Sequence, residues 1–322
     1  MVRELEVRKS CWCIVIADDH APDRMTYSAS KWGPAPVQYG CLGGSATLLH
    51  LALHRAASIA PTSQILVTAL EEYRDQWEPI LWCVCPGMRV VRHKRISPLL
   101  SSAAAILSIA RVSPSSIVTI LPARCYVGHE WILRQALKAS ASELPHIPEG
   151  VAALGMVDID EGVDEDYLVV SRARIGRGFA VQAIARRPTA WVARHLRRQG
   201  AVVFSGIMIG YASAFAAHIS MHLPGVSEKL VTLVAAAQAA QRECAIPNRL
   251  QDGTPGAVLK SLRWHPPAFP QRVFTVCDSG WSSLKSPHAV SRIAEFIANG
   301  PHRRQSLLNP PTTPNHGEPL AL

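Results

Sequence analysis

The stretch CIVIADDHAPDRMTYSASKWGPAPVQYG, residues 13–40, decides the fold of this chain. Its apolar start, CIVIA, has the composition of a buried strand, and a short polar segment follows it directly. In nucleotide-binding domains the loop after such a strand holds phosphate groups. Here no glycine stands between Ala17 and Arg24. The loop therefore lacks the residue type that lets backbone amides approach a phosphate closely.

Outward from this stretch, apolar strand patterns alternate with helical patterns as far as residue 159. The strand patterns are QILVTAL (64–70), MRVVRH (88–93), SIVTILPA (116–123) and GVAALGMVDI (150–159). The helical patterns are SATLLHLALHRAASIAP (45–61), EEYRDQWEPILW (71–82), SSAAAILSIARV (101–112) and GHEWILRQALKASA (128–141). This alternation predicts an α/β fold: a Rossmann-like, mixed and mostly parallel sheet with helices on both faces. Ser45 is predicted to cap the first helix.

The second half of the sequence mixes strands and helices. We predict a strand pair at YLVVSR (167–172) and FAVQAIAR (179–186), a buried strand leading into a core helix at 201–224, and a last strand and loop at RVFTVCDSGWSSL (272–284). One domain is expected over residues 1–300, with a first half at about 12–150 and a second half at about 151–300. The proline-rich segment 301–322 is expected to be a flexible tail.

Composition narrows the classes of function. The 322 residues carry a net charge of +9, which favours anionic partners. The basic segment ARRPTAWVARHLRRQG (185–200) is typical of a solvated helix face. Because Trp191 is its one aromatic residue, we expect no nucleic-acid partner. The apolar segment 201–224 carries glycines, serines and histidines, so we expect no membrane span and no membrane partner.

The eight cysteines favour a reducing compartment, because charged residues interrupt the N-terminus before any apolar signal core. We therefore expect a cytoplasmic protein with free thiols. CWC (11–13) and CVC (83–85) each place two thiols on one face of a predicted strand. Neither has the two-residue gap of a zinc knuckle, which predicts buried thiols and no metal site.

Polar segments follow three of the predicted strands: ADDHAPDRM (17–25), LPARC (121–125) and DSGWSSLKSP (278–287). In an open α/β sheet, ligands bind outside the carboxyl ends of the strands. In order and spacing these segments resemble motifs of the sugar nucleotidyltransferases, most closely the bacterial mannose-1-phosphate guanylyltransferases. The family motifs are A-G-G-x-G-T-R-L (A-G-D-D-G-T-R-L in one subgroup), L-P-[AS]-D-H and G-W-x-D-L-G-T-P.

Four further segments extend the resemblance to roughly residues 12–295. APVQYG (35–40) is similar to the family's P-K-Q-[FY], and DEDYLVV (164–170) to its G-Y-[GI]. VQAIARRP (181–188) is similar to V-x-x-F-x-E-K-P, and GAVVFSGIMIGYASAF (200–215) to G-x-x-W-N-S-G-[IM]-F. Each motif is weak alone, but their common order is specific for fold and ancestry.

The resemblance implies that GTP and mannose 1-phosphate are converted to GDP-mannose and pyrophosphate, with Mg²⁺ bridging the reacting phosphates. It implies a nucleotide half at about 12–150 and a sugar-side half at about 151–300 with a smaller mixed β segment. Catalytic roles fall on Arg24 and Arg187. Nucleotide or phosphate binding falls on Asp18, Asp19, Gln38 and Arg124, and sugar-side contacts fall on Tyr167, Ser205 and Gly206.

The sequence departs from the family at the charged positions. Val37 replaces the loop lysine. Arg124 and Ser283 replace the two aspartates that bind magnesium in the family, so no metal ligand is assigned. The remaining replacements are Asp18, Asp19 and Ala21 for loop glycines, Cys125 for histidine, Arg186 and Arg187 for E-K, and Val203 and Phe204 for W-N.

Two interpretations follow. The chain is either a mannose-1-phosphate guanylyltransferase-like enzyme with a divergent site, or an inactive homologue that binds nucleotide, phosphate or a partner protein. Tyr39, Tyr167 and Phe204 fit a role in the core as well as one in ligand contact. Assembly as a homo-oligomer is left open.

Overall fold

A computed structural model describes residues 11–18, 36–41, 46–84, 86–94, 98–157, 165–239, 244–246, 270–284 and 287–298. Several predicted features lie outside these residues, among them Asp19, Arg24, Ser45 and the tail at 301–322.

Ten strands form one sheet in the described residues. They are β1 Cys11–Ile16, β2 Ile65–Leu70, β3 Arg89–His93, β4 Ile117–Pro122, β5 Val151–Met156, β6 Tyr167–Ile175, β7 Gly178–Ala185, β8 Val202–Tyr211, β9 Cys244–Ile246 and β10 Arg272–Val276. Their order is β5-β10-β7-β6-β8-β4-β1-β2-β3-β9, with an additional pairing between β5 and β8.

The sheet is mixed, as predicted, and in the described residues five of its strand pairings are parallel and five are antiparallel. Parallel pairings join β4, β1, β2, β3 and β9 in that order. Antiparallel pairings join β8 to β4, β5 and β6, and join β7 to β6 and β10. A further parallel pairing joins β5 to β10. The antiparallel part forms the smaller mixed β segment that was expected in the second half.

Helices cover both faces of the sheet. They are α1 Leu48–Ala57, α2 Arg74–Val84, α3 Pro98–Val112, α4 Glu130–Glu143, α5 Ala190–Arg198, α6 Ala212–His222, α7 Pro224–Ala239 and α8 Pro287–Ala298. Apolar residues of α1, α2 and α4 pack in one core cluster, and those of α3, α6 and α7 pack in a second cluster. The predicted α/β architecture is confirmed.

Strand β1 shows why its sequence is apolar at every position. Cys13 and Val15 belong to the first core cluster, whereas Trp12 and Ile14 belong to the second. Successive side chains of a strand point to opposite faces, so a central strand covered on both sides needs a continuous apolar run.

The N-terminus of α1 differs from the prediction by two residues. Thr47, not Ser45, is the N-cap: its Oγ1 accepts a hydrogen bond from the His50 amide at 3.2 Å. The Thr47 amide in turn donates to His50 Nδ1 at 3.3 Å, which completes a reciprocal capping box. Ser45 lies outside the described residues.

The prediction of buried thiols is confirmed for Cys11 and Cys13 and wrong for Cys83, and Cys85 lies outside the described residues. Cys11 and Cys13 are buried in β1. Cys83 is exposed, because α2 continues to Val84 where a strand was predicted.

The apolar segment at 201–224 forms the long strand β8 and the helix α6, as predicted. Phe215 and Ile219 of α6 are completely buried against the second core cluster. Within the part of the chain that the structure describes, no helix combines the length and apolarity that crossing a membrane requires.

Gly155 allows three strands to pack closely. A Cβ atom at this position would lie 2.2 Å from Cγ2 of Val202 in β8 and 2.8 Å from Cγ2 of Val273 in β10. Both distances are shorter than any ordinary carbon–carbon contact, so a side chain here requires the neighbouring strands to move apart.

We expect Gly155→Ala to lower the free energy of unfolding by roughly 3 kcal/mol, because overpacking displaces β8 and β10. Urea denaturation measures the change. Gly225→Ala in α7 is the control, since nothing lies within 4 Å of its Cβ position. The control should change stability by no more than about 1 kcal/mol. Equal stability of Gly155→Ala and the wild type would contradict the packing described.

Candidate functional site

The ends of β1, β4 and β10 meet at one edge of the sheet. Tyr126, after β4, and Ser282, after β10, exchange two backbone hydrogen bonds of 2.9 Å. The Ala123 amide donates to the Ile16 carbonyl at the end of β1, at 2.8 Å. These are the three strand ends that the sequence singled out. Ligands of open α/β sheets bind outside such ends, so this edge is the candidate site.

Asp18, predicted to contact phosphate, is fully buried. Its Oδ1 accepts a hydrogen bond from Thr68 Oγ1 at 2.7 Å, and its Oδ2 lies 2.5 Å from His93 Nε2 and accepts from the Ser101 hydroxyl. Burial opposes ionisation, but the hydrogen bond and charge of His93, with the two hydroxyls, lower the pKa of Asp18. The carboxylate thus joins β1, β2, β3 and α3, and its predicted phosphate contact stays a prediction.

Gln38 and Tyr39 hold the end of β1. The Gln38 Nε2 donates to the Ala17 carbonyl at 2.9 Å, and the Tyr39 hydroxyl donates to the same oxygen at 2.7 Å. Both side chains are buried. Burial, together with the Asp18 carboxylate, raises the pKa of Tyr39 well above its ordinary value. Tyr39 is therefore a core residue, and the nucleotide role of Gln38 stays a prediction.

Arg124 is the second residue after β4 and is only 5% exposed. It occupies the place of the aspartate in the L-P-[AS]-D-H motif that the segment resembles. A guanidinium is a planar cation with five N–H donors and no acceptor, so at this edge it can only donate hydrogen bonds. Its predicted phosphate contact stays a prediction.

A buried ion pair below this loop was missed in the sequence. Two guanidinium nitrogens of Arg55 bond to Glu130: Nε to Oε2 at 2.9 Å and Nη2 to Oε1 at 2.6 Å. Its Nη1 also lies 3.5 Å from Cys125 Sγ. A signal was present, because Arg55 stands three and seven residues after Ala52 and Leu48, on the apolar face of α1. The pair fixes α1 against α4 under the loop after β4.

Tyr167 and Ser205, both predicted to contact the sugar, make contacts that stabilise the fold. Tyr167 is completely buried within the first core cluster, which fits the core role, and its contact with a sugar stays a prediction. The Ser205 hydroxyl donates to the Leu154 carbonyl at 2.6 Å and accepts from the Ile207 amide at 3.1 Å. These bonds stabilise an irregularity at which the register of β5 and β8 shifts.

Gly206 brings the backbone of β8 against the end of β4. Its φ is +78°, and a Cβ atom would lie 2.8 Å from Cγ of Pro122. Both features require glycine. The structure thus explains the S-G pair of the sequence by backbone geometry, and its contact with a sugar stays a prediction.

The consecutive residues Glu165 and Asp166 connect two loops of this edge, and sequence reasoning missed both. Glu165 Oε1 accepts a hydrogen bond from the Ser283 hydroxyl. Asp166 Oδ1 accepts from the Arg187 amide at 3.1 Å, and its carbonyl accepts from the Phe204 amide at 2.8 Å. The available signal was that they end an acidic run directly before a strand.

The residues present do not fit the magnesium site that the resemblance implies. Magnesium requires oxygen ligands, whereas Arg124 offers only donors and the Ser283 hydroxyl donates to Glu165. In the described ranges, no three histidine, cysteine, aspartate or glutamate side chains form a group that could hold a metal ion.

Three solved structures are similar to this chain. A mannose-1-phosphate geranyltransferase from Thermus thermophilus has a TM-score of 0.65 at 19% identity, over 88% of this chain and 79% of that chain. A mannose-6-phosphate isomerase from Helicobacter pylori has a TM-score of 0.61 at 13% identity, over 85% and 99%. A UDP-glucose pyrophosphorylase complexed with UDP-glucose has a TM-score of 0.52 at 11% identity, over 89% and 98%.

No family profile and no curated protein matches the sequence. The structural similarity nevertheless extends over most of both chains in each of the three pairs. The chain therefore has the fold of the sugar nucleotidyltransferases.

The Asp18 cluster makes stability depend on pH. Because the folded-state pKa of Asp18 is lowered, its ionised form stabilises the fold above the unfolded pKa of about 4, and this contribution is lost as pH falls below that value. We expect Asp18→Asn to cost about 3 kcal/mol at pH 7 and to flatten the decline of unfolding free energy below pH 4.

Urea denaturation between pH 7 and pH 3 measures both effects, with the exposed Asp75→Asn as control. Parallel pH profiles of the wild type and Asp18→Asn would show that the cluster does not titrate as described.

Proposed function

We propose that the edge of the sheet where β1, β4 and β10 end binds a nucleoside triphosphate and a sugar 1-phosphate, in the manner of a mannose-1-phosphate guanylyltransferase. The reaction is GTP plus mannose 1-phosphate to GDP-mannose plus pyrophosphate. The observation that carries the proposal is the fold similarity, over 88% of the chain, to a solved protein named for mannose 1-phosphate. The order of the sequence motifs supports it.

The chemistry joins two anions. A phosphate oxygen of the sugar 1-phosphate attacks the α-phosphorus of GTP, one P–O bond forms, and the bond to the leaving pyrophosphate breaks. Protein groups contribute by aligning the phosphates and neutralising their charge. Arg124 and Arg187 are the cations of this chain that we assign to that task, since guanidinium groups bind phosphates in a bidentate manner.

One observation favours a second candidate function, which is binding without turnover. Arg124 and Ser283 stand at both positions where the family has metal-binding aspartates, and Val37 replaces the loop lysine. Preorganised charge at the reacting phosphates contributes roughly 3 to 4 kcal/mol per group to catalysis. Losing three such groups together slows the reaction far more than it weakens ground-state binding.

Pyrophosphate release from GTP and mannose 1-phosphate in the presence of Mg²⁺ tests the enzyme proposal. Several nucleoside triphosphates and hexose 1-phosphates are assayed in parallel, because the base and the sugar belong to the proposal. Turnover that requires both substrates supports it. If the protein binds GDP-mannose but releases no pyrophosphate with any pair of substrates, the second candidate function, binding without turnover, is the correct one.

Calorimetric titration with GDP-mannose, with Mg²⁺ and with EDTA, tests metal-independent binding. We expect affinity to be unchanged by EDTA, to fall about tenfold or more in Arg124→Gln, and to recover in part in Arg124→Lys. Arg111→Gln, which removes an exposed charge on α3, is the matched control. The unfolding free energy of each variant without ligand separates lost binding from lost folding. Affinity that disappears with EDTA would contradict the role given to Arg124.

A further inference from the structure

Three residues other than glycine have a left-handed backbone in the described residues: Arg187, Asp278 and Leu284, with φ of +37°, +55° and +51°. All three lie in loops near the edge of the sheet that carries the candidate site: Arg187 follows β7, and the other two follow β10. Such conformations are unfavourable for residues with a Cβ atom, and they cluster at functional sites.

Packing and residue type explain two of the three. Leu284 is completely buried, so burial of its side chain offsets the backbone strain. Aspartate tolerates the left-handed region, and the Asp278 carbonyl lies 2.7 Å from His129 Nδ1. Arg187 has neither explanation, because it is exposed and is not a residue type that favours this region.

Asp166 holds Arg187 in this conformation. The Arg187 amide donates to Asp166 Oδ1 at 3.1 Å, and the Asp166 main chain is itself fixed to β8 through the Phe204 amide at 2.8 Å. The neighbouring Glu165 is 6% exposed and bonded by Ser283 in the loop after β10. The pair Glu165–Asp166 thus connects the Arg187 loop with the loop that faces β4.

We propose that Asp166 is a positioning residue that keeps Arg187 in a strained backbone conformation so that its guanidinium meets the phosphate of the bound ligand. The proposal rests on the function proposed above. The new element is that the strained backbone of Arg187 contributes to ligand binding and is not required for folding. Relief of the strain and loss of binding should therefore occur in the same variant.

Arg187→Gly is the first test, with GDP-mannose and inorganic pyrophosphate as probes. Glycine adopts a positive φ freely, which offsets its greater freedom in the unfolded chain, so Tm should stay unchanged or rise by up to about 3 °C. The dissociation constant should increase at least about tenfold. Asp278→Gly is the control: it relaxes the same kind of conformation in the same edge without removing a cation, and should bind within about twofold of the wild type.

Asp166→Asn and Asp166→Ala form the second test. Asparagine keeps an oxygen acceptor for the Arg187 amide and should bind within about threefold of the wild type, whereas alanine should weaken binding about tenfold. Retained binding in Asp166→Asn, with weakened binding in Asp166→Ala, supports the positioning role. If Asp166 only stabilises the fold, both variants lower Tm and leave the dissociation constant unchanged.

The outcomes distinguish the two proposals. Wild-type protein that binds neither probe overturns the proposed function, and the role of Asp166 with it. Wild-type protein that binds, with Arg187→Gly binding equally well or Asp166→Ala matching the wild type, overturns only the positioning role.

Discussion

The two halves of the sheet are joined through one strand, β8, which bonds to β4 along one edge and to β5 along the other. This double pairing imposes close contacts that few residues permit. Gly206 lies against Pro122 at the end of β4, and Gly155 lies against Val202 and a valine of β10. With these contacts in place, the loop after β4 pairs with the loop after β10. Backbone hydrogen bonds thus form the edge of the sheet that carries the candidate site, without a contribution from the predicted site side chains.

Local patterns in the sequence were sufficient to predict most of the fold. Periodicity in the first half predicted β1 to β5 and the helices between them, because a buried strand in a two-sided sheet is apolar at each position. The exception at CVC has a local reason: alternating valine and cysteine fits the end of an apolar helix as well as a strand, and Cys83 belongs to α2. The cap of α1 differed because both Ser45 and Thr47 are of residue types that cap helices, and residue type alone does not choose between them.

The candidate site was less predictable because its contacts join distant parts of the chain. Asp18 reads as a loop residue after a strand, and only the fold brings His93 and Ser101, 75 and 83 residues away, to its carboxylate. Glu165 and Ser283 are 118 residues apart and meet only because β6 and β10 are in the same sheet. Resemblance to a family indicates which positions matter, but it does not show whether a new side chain at such a position faces a ligand or the core.

Arginine and a metal ion neutralise phosphates differently, and this difference separates the two candidate functions, transfer and binding without turnover. A divalent ion bridges oxygens of two phosphates at once and adapts as charge develops on the leaving group. The guanidinium of Arg124 carries a single delocalised charge and donates in one plane, so under the function proposed above it would pair with a phosphate that is already bound. Replacement of a metal-binding carboxylate by an arginine therefore preserves recognition of a phosphorylated ligand better than it preserves in-line transfer. Under the function proposed above, the fold aligns the two ligands, and the side chains at the replaced positions determine the rate of the transfer step.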